Sequence, residues 1–218
     1  MTRLPTPCLS LVTDRNVTAG RDLEEVVEAA VAGGVDLVQL REKELPAGEV
    51  YLTAKRLRAI TRDKALLFVN DRVDIALAAE CDGVQLGENA MPTSAARAVC
   101  GARLLIGRSV HSLEGAKRAE GDGADLLVLG TIFPTGSHPG AVTAGVELVR
   151  AVAEEVSLPV LAIGGINNDN VASVIRAGAS GVAVISAISG SPDPEMAASA
   201  LKSKMLEAWT LVEAKESR

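Results

Sequence analysis

The stretch "DLVQLREKEL" (Asp36–Leu45) begins as an apolar run, Leu37-Val38-Gln39-Leu40, and passes at once into four ionised side chains, Arg41, Glu42, Lys43 and Glu44. An apolar run with little alternation is the pattern of a parallel strand covered on both faces. Charge placed directly behind it marks the end at which the chain leaves the core. The same arrangement recurs in "CLSLVT" (8–13), "ALLFVN" (65–70), "GVQLG" (83–87), "LLIGRSV" (104–110), "LLVLG" (126–130), "PVLAIG" (159–164) and "GVAVIS" (181–186). Between these runs lie helical patterns. "DLEEVVEAAVAGG" carries its apolar residues on one face, acids in its first turn and glycine at its end. "SLEGAKRAEGDG", "GVELVRAVAEEV" and "DNVASVIRAGA" behave likewise. Ser112 can cap the helix that opens at "HSLE", and prolines precede the periodic run over 191–209.

Alternating strands and helices imply a parallel α/β fold, and eight units linked by right-handed crossovers can close on themselves. The expectation is therefore a single (β/α)8 TIM barrel over 1–218. Its strands are expected near 8–14, 37–42, 65–71, 83–87, 104–110, 126–130, 159–164 and 181–186. An open doubly wound sheet is the alternative. The polar and glycine residues cluster just after the strands, at "REKE", "NDR", "GENAMP", "SVHS", "GTIFPTGSHPG", "GGINND" and "SAISG". In a barrel these loops share one face, where active sites lie.

Composition narrows the function. The chain has 218 residues, of which 48% are hydrophobic and 23% charged, as in ordinary soluble domains. Three cysteines, Cys8, Cys81 and Cys100, are odd in number and lack metal-site spacing. They point to a reducing, cytoplasmic setting. The N-terminal apolar run is too short for a signal peptide, and no run reaches the roughly 18 residues of a membrane span. A net charge of −6 argues against nucleic acid as a partner. It leaves room for a local basic pocket that takes an anionic small molecule. A homo-oligomer is compatible with everything in the sequence.

Side chains alternate along a strand. If Gln39 faces the barrel interior, Arg41 and Lys43 point the same way, and Leu40 and Glu42 point outward. A guanidinium fork beside an ammonium suits a phosphate or pyrophosphate. Read alone, "REKE" is equally a solvated turn. Asn70 can bond an anion and Asp71 a hard cation, yet either could cap the following helix. Thr135 and Ser137 offer hydroxyls on the long loop after the sixth strand, and His138 offers a titratable ring. Gly164 and Gly165 after the seventh strand, with Ser186 after the eighth, occupy the loops that commonly hold phosphate in barrels. His111 beside a helix start reads as a cap or packing residue, and Ser109 lies on the same side of its strand. Two anion sites at one mouth suggest two phosphorylated substrates.

Taken in order, "QLREK", "NDRVDIA", "DGVQLG", "GRSVHSLEGA", "GTIFPT", "IGGIN" and "VISAI" resemble the thiamine phosphate synthase and thiazole tautomerase family. The resemblance runs from about Leu9 to Ser189 and implies a (β/α)8 barrel. For the synthase it implies transfer of an aminopyrimidine methyl group from its diphosphate to the ring nitrogen of a thiazole phosphate, with release of pyrophosphate. Carried over by position, Gln39, Leu40, Arg41, Glu42 and Lys43 grip the diphosphate, with Arg41, Lys43 and Ser109 as the catalytic contacts. Asn70 holds the same substrate. Thr135, Gly136, Ser137, His138, Gly164, Gly165, Ile185 and Ser186 surround the thiazole phosphate. Mg²⁺ is the implied cofactor, with Asp71 as its ligand.

The chain departs from the family's patterns in three places. Where the synthase reads like "GVHLGQxD", this chain reads "GVQLGENA": Ala90 replaces a second metal carboxylate, Gln85 a histidine and Glu88 a glutamine. Glu88 is the expected substitute ligand. His138 stands where the synthase has lysine. Thr131 stands where the tautomerase has its histidine, so that enzyme's acid/base group is absent. The synthase is the leading expectation. Thiazole tautomerase and a non-catalytic binder of a phosphorylated thiamine precursor are the alternatives.

Overall fold

The structure, a computed structural model, describes residues 4–136, 140 and 142–216. Its strands are β1 (Cys8–Val12), β2 (Leu37–Leu40), β3 (Leu66–Asn70), β4 (Gly83–Leu86), β5 (Leu105–Val110), β6 (Leu126–Leu129), β7 (Val160–Ile163) and β8 (Gly181–Val184). They pair in chain order, all parallel, and β8 returns to β1 to close the barrel. The helices that follow are α1 (Leu23–Ala32), α2 (Ala47–Thr61), α3 (Val73–Ala78), α4 (Thr93–Cys100), α5 (Leu113–Gly121), α6 (Gly145–Glu155), α7 (Val171–Arg176), α8 (Ser186–Ser189) and α9 (Pro194–Glu216). The closed order excludes the open doubly wound sheet. Seven of the strands end one or two residues earlier than the sequence suggests, because their polar ends leave the ladder to form the mouth, and β5 ends at Val110 as expected.

Strand alternation sorts the apolar residues into two bodies. Leu9, Leu11, Val38, Leu40, Leu67, Val69, Val84 and Leu86 face outward and pack under the helices. Cys8, Leu37, Phe68, Leu126, Val128 and Leu161 face inward and fill the barrel as a separate cluster. The three thiols are buried and unpaired. Burial pushes the Cys8 thiol far up and the Cys81 thiol up to about 12, so neither supplies a thiolate near neutrality. Among the described residues, no helix is long and apolar enough to cross a membrane.

The lower rim of the barrel is held by one device used four times. A polar residue immediately precedes each even-numbered strand: Asp36, Asp82, Asp125 and Ser180. Each bonds one residue of the preceding strand reciprocally. The backbone N–H groups of Asp36, Asp82, Asp125 and Ser180 donate to the carbonyls of Leu9, Leu67, Ile106 and Val160 at 2.8–2.9 Å. In return, the N–H groups of Leu9, Leu67 and Ile106 donate to the three carboxylates at 2.7, 2.8 and 2.7 Å. Val160 N donates to Ser180 Oγ at 3.3 Å. Each carboxylate also meets a helix-borne cation: Lys202 of α9 at 2.6 Å, Arg58 of α2 at 2.6 Å and Arg97 of α4 at 2.5 Å. The carboxylate thereby fixes register between strands and docks a helix.

Removing one such carboxylate leaves a strand N–H and a half-buried cation without their acceptor. Asp82→Ala is expected to cost about 3 kcal/mol of stability. Asp125→Ala costs less, because its pair is more exposed. Urea unfolding midpoints of the two variants and the parent check the order and the size.

Candidate active site

The upper mouth holds a cavity of about 650 Å³. Its floor is set by the last inward-facing residue of each strand. In strand order these are Val12, Gln39, Asn70, Gln85, Ser109, Val128, Ile163 and Ala183. The ring divides in two. β2 to β5 contribute only hydrogen-bonding side chains, and β6, β7, β8 and β1 only apolar ones. All but Gln85 line the cavity. A ligand seated there meets amides and a hydroxyl on one side and aliphatic carbon on the other.

The charged end of β2 behaves as alternation requires. Gln39, Arg41 and Lys43 line the cavity together. Arg41 N donates to the fully buried Thr13 Oγ1 at 2.9 Å, which fixes where the charged segment departs. Glu42 turns away. Its buried carboxylate meets Arg15 Nε at 3.3 Å and accepts from Arg15 N at 3.3 Å, tying down the turn after β1. Its other oxygen, Oε1, has no hydrogen-bond partner among the described residues. Leu40 is packed into the helix-facing layer. Leu40 and Glu42, expected among the substrate contacts, differ in placement from Gln39, Arg41 and Lys43: neither lines the cavity. Among the described residues Arg41 and Lys43 form no ion pair, although acids flank both in sequence.

From Gln39 a chain of hydrogen bonds crosses to β4. Gln39 Nε2 donates to Asn70 Oδ1 at 3.0 Å, and Asn70 Nδ2 donates to Asp71 Oδ2 at 2.9 Å. Gly87 N donates to Asp71 Oδ1 at 2.7 Å. Asp71 is held with φ +58°, a left-handed conformation that costs a non-glycine residue about 1–3 kcal/mol. The two bonds to its carboxylate offset that strain and aim the side chain at the cavity. Neither Asn70 nor Asp71 caps α3, whose N-cap is Arg72 with no side-chain capping bond.

The loop after β4 brings Glu88, Asn89 and Ala90 to the cavity wall. Arg108 secures it, donating to Met91 O at 3.1 Å and Glu88 O at 3.2 Å. His111 joins two loops. Its Nδ1 donates to Gly130 O, and its Nε2 lies 3.6 Å from the exposed Glu88 carboxylate. Ser112, as expected, caps α5 by accepting from Gly115 N at 3.1 Å. Sequence reasoning assigned nothing to Arg108 and only packing or capping to His111. Their position at the upper end of β5, opposite the "GENAMP" loop, is the signal that could have found them.

The far wall consists of Thr131, Thr135, Gly164, Gly165, Ile185 and Ser186. Gly165 has φ +62°, and a Cβ there would stand 2.4 Å from Pro134 O. The seventh loop can lie this close to the sixth only through glycine. Gly136 is described but stands off the cavity, and Ser137 and His138 lie outside the described residues.

Whether these groups suit a divalent cation can be judged from the donors. Each Asp71 oxygen accepts one protein hydrogen bond and keeps a further lone pair. The Glu88 carboxylate is exposed, 3.6 Å from His111 Nε2. No group of three or more His, Cys, Asp or Glu is assembled among the described residues. One hydrogen-bonded carboxylate and one exposed one fit Mg²⁺, which takes few protein ligands and completes its shell with water and substrate phosphates. They do not form a closed all-protein metal cage.

Fold and site together define a (β/α)8 barrel whose mouth sets two cations and a run of hydrogen-bonding side chains against an aliphatic wall. The family model of thiamine monophosphate synthase matches residues 9–188, and the chain belongs to that family. The thiamine-phosphate synthase of Natronomonas pharaonis is 48% identical over 191 residues, covering 86% of this chain and 89% of that protein. That of Haloquadratum walsbyi is also 48% identical, over 193 residues and 86% of each chain. The solved thiamine phosphate pyrophosphorylase from Pyrococcus furiosus superposes with a TM-score of 0.86. It is 44% identical, covering 92% of this chain and 96% of that one.

Arg108 is the post on which the loop after β4 hangs. Arg108→Ala is expected to leave the barrel folded and to speed amide exchange at Glu88–Met91 by tenfold or more, about 1.4 kcal/mol of lost local stability. Hydrogen exchange with mass detection reads this directly, and unchanged exchange in that peptide contradicts the assignment.

Proposed function

We propose that this chain is a thiamine-phosphate synthase, joining an aminopyrimidine methyl diphosphate to a thiazole phosphate with release of pyrophosphate. One observation carries the reading: two cations without ion-pair partners among the described residues, Arg41 and Lys43, line the same cavity as the Gln39–Asn70–Asp71 chain. The family match and the names of the relatives agree with it.

In the reaction, the bond between the pyrimidine methylene carbon and the diphosphate oxygen breaks. Its electron pair stays on the leaving oxygen. Arg41 and Lys43 stabilise the growing negative charge, as fixed donors do best in a site that excludes water. Gln39 and Asn70 hold the substrate's polar end, and Ser109 adds a hydroxyl. The thiazole nitrogen then donates its pair to the methylene carbon and the new C–N bond forms. The aliphatic half of the floor, Val12, Val128, Ile163 and Ala183, lies under the thiazole. Thr135 and the glycine wall of Gly164 and Gly165, with Ile185 and Ser186, receive its phosphate. Asp71, with Glu88, would hold Mg²⁺, which when bound would neutralise charge on the diphosphate. The mouth's main work is alignment of the two reactants.

Thr131 lines the cavity at the position where the tautomerase carries histidine, and its hydroxyl does not titrate near neutrality. The acid/base group expected for that second reaction is therefore absent at this position. The buried, unpaired thiols suit a reducing cytoplasm.

Incubation with pyrimidine diphosphate, thiazole phosphate and Mg²⁺ is expected to yield thiamine phosphate and pyrophosphate in equal amounts. Arg41→Ala is expected to lower kcat/KM by about 10²–10³-fold, the usual cost of one charge-stabilising donor. No product at high enzyme concentration overturns the reading. For the metal, Asp71→Ala is expected to abolish Mg²⁺ binding in the presence of pyrophosphate, and Glu88→Ala to weaken it several-fold. Titration calorimetry measures both, and full Mg²⁺ affinity in Glu88→Ala removes Glu88 from the ligand set.

A further inference from the structure

Gln85 is the one member of the floor ring that does not line the cavity. It is 3% exposed. Its Nε2 donates to Ser109 Oγ on the neighbouring strand at 3.1 Å. Gln85 stands beside Gly107 in the β4–β5 register, and a Cβ at 107 would lie 2.0 Å from Gln85 Oε1. The barrel leaves out a side chain at that point, and the amide occupies the space.

We infer that Gln85 is a positioning residue that sets the direction of the Ser109 hydroxyl proton. A hydroxyl has one proton to give and two lone pairs to receive. An amide nitrogen can only donate. Facing it, Ser109 must accept, so its own proton is turned away from the barrel wall and toward the cavity it lines. An acceptor at the same place would draw that proton inward and present a lone pair to an incoming anion. The amide does not titrate, so the direction holds at every working pH. The inference rests on the reading of the cavity as a diphosphate site, where an oriented O–H donor meets an anionic oxygen. A hydrogen bond to a charged partner is stronger than one between neutral groups, and a pre-aimed donor avoids the cost of reorientation.

Gln85→Met keeps length and volume but removes the donor. Gly107→Ala keeps both functional groups but pushes the amide off the hydroxyl. Each is made in the parent and in Ser109→Ala, and pyrophosphate affinity with Mg²⁺ is measured by calorimetry. In the parent, each is expected to weaken binding about tenfold, the scale of one charge-assisted hydrogen bond. In the Ser109→Ala background, each is expected to have no further effect. A merely structural role would carry its loss into both backgrounds, so multiplying losses overturn the inference. Should one variant fail to fold, the other completes the cycle. Failure of the parent to bind pyrophosphate also overturns it. Turnover separates this from the reaction assignment. A parent that binds pyrophosphate but makes no thiamine phosphate sinks the synthase reading, while the binding cycle still decides the role of Gln85. In an active parent the loss is expected in kcat, with the KM for thiazole phosphate unchanged.

Discussion

The reciprocal bond at the lower rim is the constraint on which the rest depends. A strand entering a closed parallel barrel brings an N–H that must find an acceptor at the rim. Asp36, Asp82, Asp125 and Ser180 supply one on every second strand, and each also donates its own N–H back. Such a two-point bond permits one register. Register in turn decides which side chains face inward, because a slip of one residue reverses every face. The inward direction of Gln39, Arg41 and Lys43 is therefore set at Asp36, three residues before the first of them. Stability is thus concentrated at one end of the barrel and chemistry at the other.

That division explains what the mouth can carry. Arg41 and Lys43 stand without an ion-pair partner among the described residues, whereas Arg58, Arg97 and Lys202 at the lower rim are all paired. Two like charges side by side favour unfolding in a free protein. They are tolerated because the strand beneath them is locked from below, and because Thr13 holds the backbone where the charge begins. The neighbouring acids would quench the site if they could reach it. Alternation sends Glu42 behind the wall to Arg15. A chain with an overall charge of −6 thus keeps two cations in its mouth, on the β2 side, across from the carboxylates of Asp71 and Glu88.

The barrel was legible because each strand is a short apolar run followed by polar or glycine residues, a pattern that needs no knowledge of partners. The inward set on β2 was legible for the same reason, since period-two alternation is local. The family expectation put Leu40 and Glu42 in one contiguous contact set, whereas strand alternation turns both side chains away from the cavity. The lower-rim residues were visible as "VDLV", "CDGV", "ADLL" and "ASGV" but went unread. A lone polar residue before a strand also suits a plain turn, and only the returning strand gives it a different meaning. Gln85 and Ser109 are 24 residues apart, and Arg108 reaches a loop 17 and 20 residues away. Those contacts are products of register and have no local signature.

On the proposed reading, the replacement of a carboxylate by Ala90 changes when the cation arrives more than whether it does. Ala90 packs against the apolar layer, so the loop after β4 has exchanged a ligand for a hydrophobic anchor. Arg108 holds the same loop by its carbonyls. One strained, hydrogen-bonded aspartate, Asp71, is then the one fixed anionic ligand offered among the described residues, because Glu88 extends into solvent beside His111. Mg²⁺ parts with its water reluctantly and gains little from a single carboxylate. The missing oxygens are those of the diphosphate, which Arg41 and Lys43 can attract without any metal. Such a site favours entry of the cation together with the diphosphate, so metal affinity and substrate affinity become one coupled quantity.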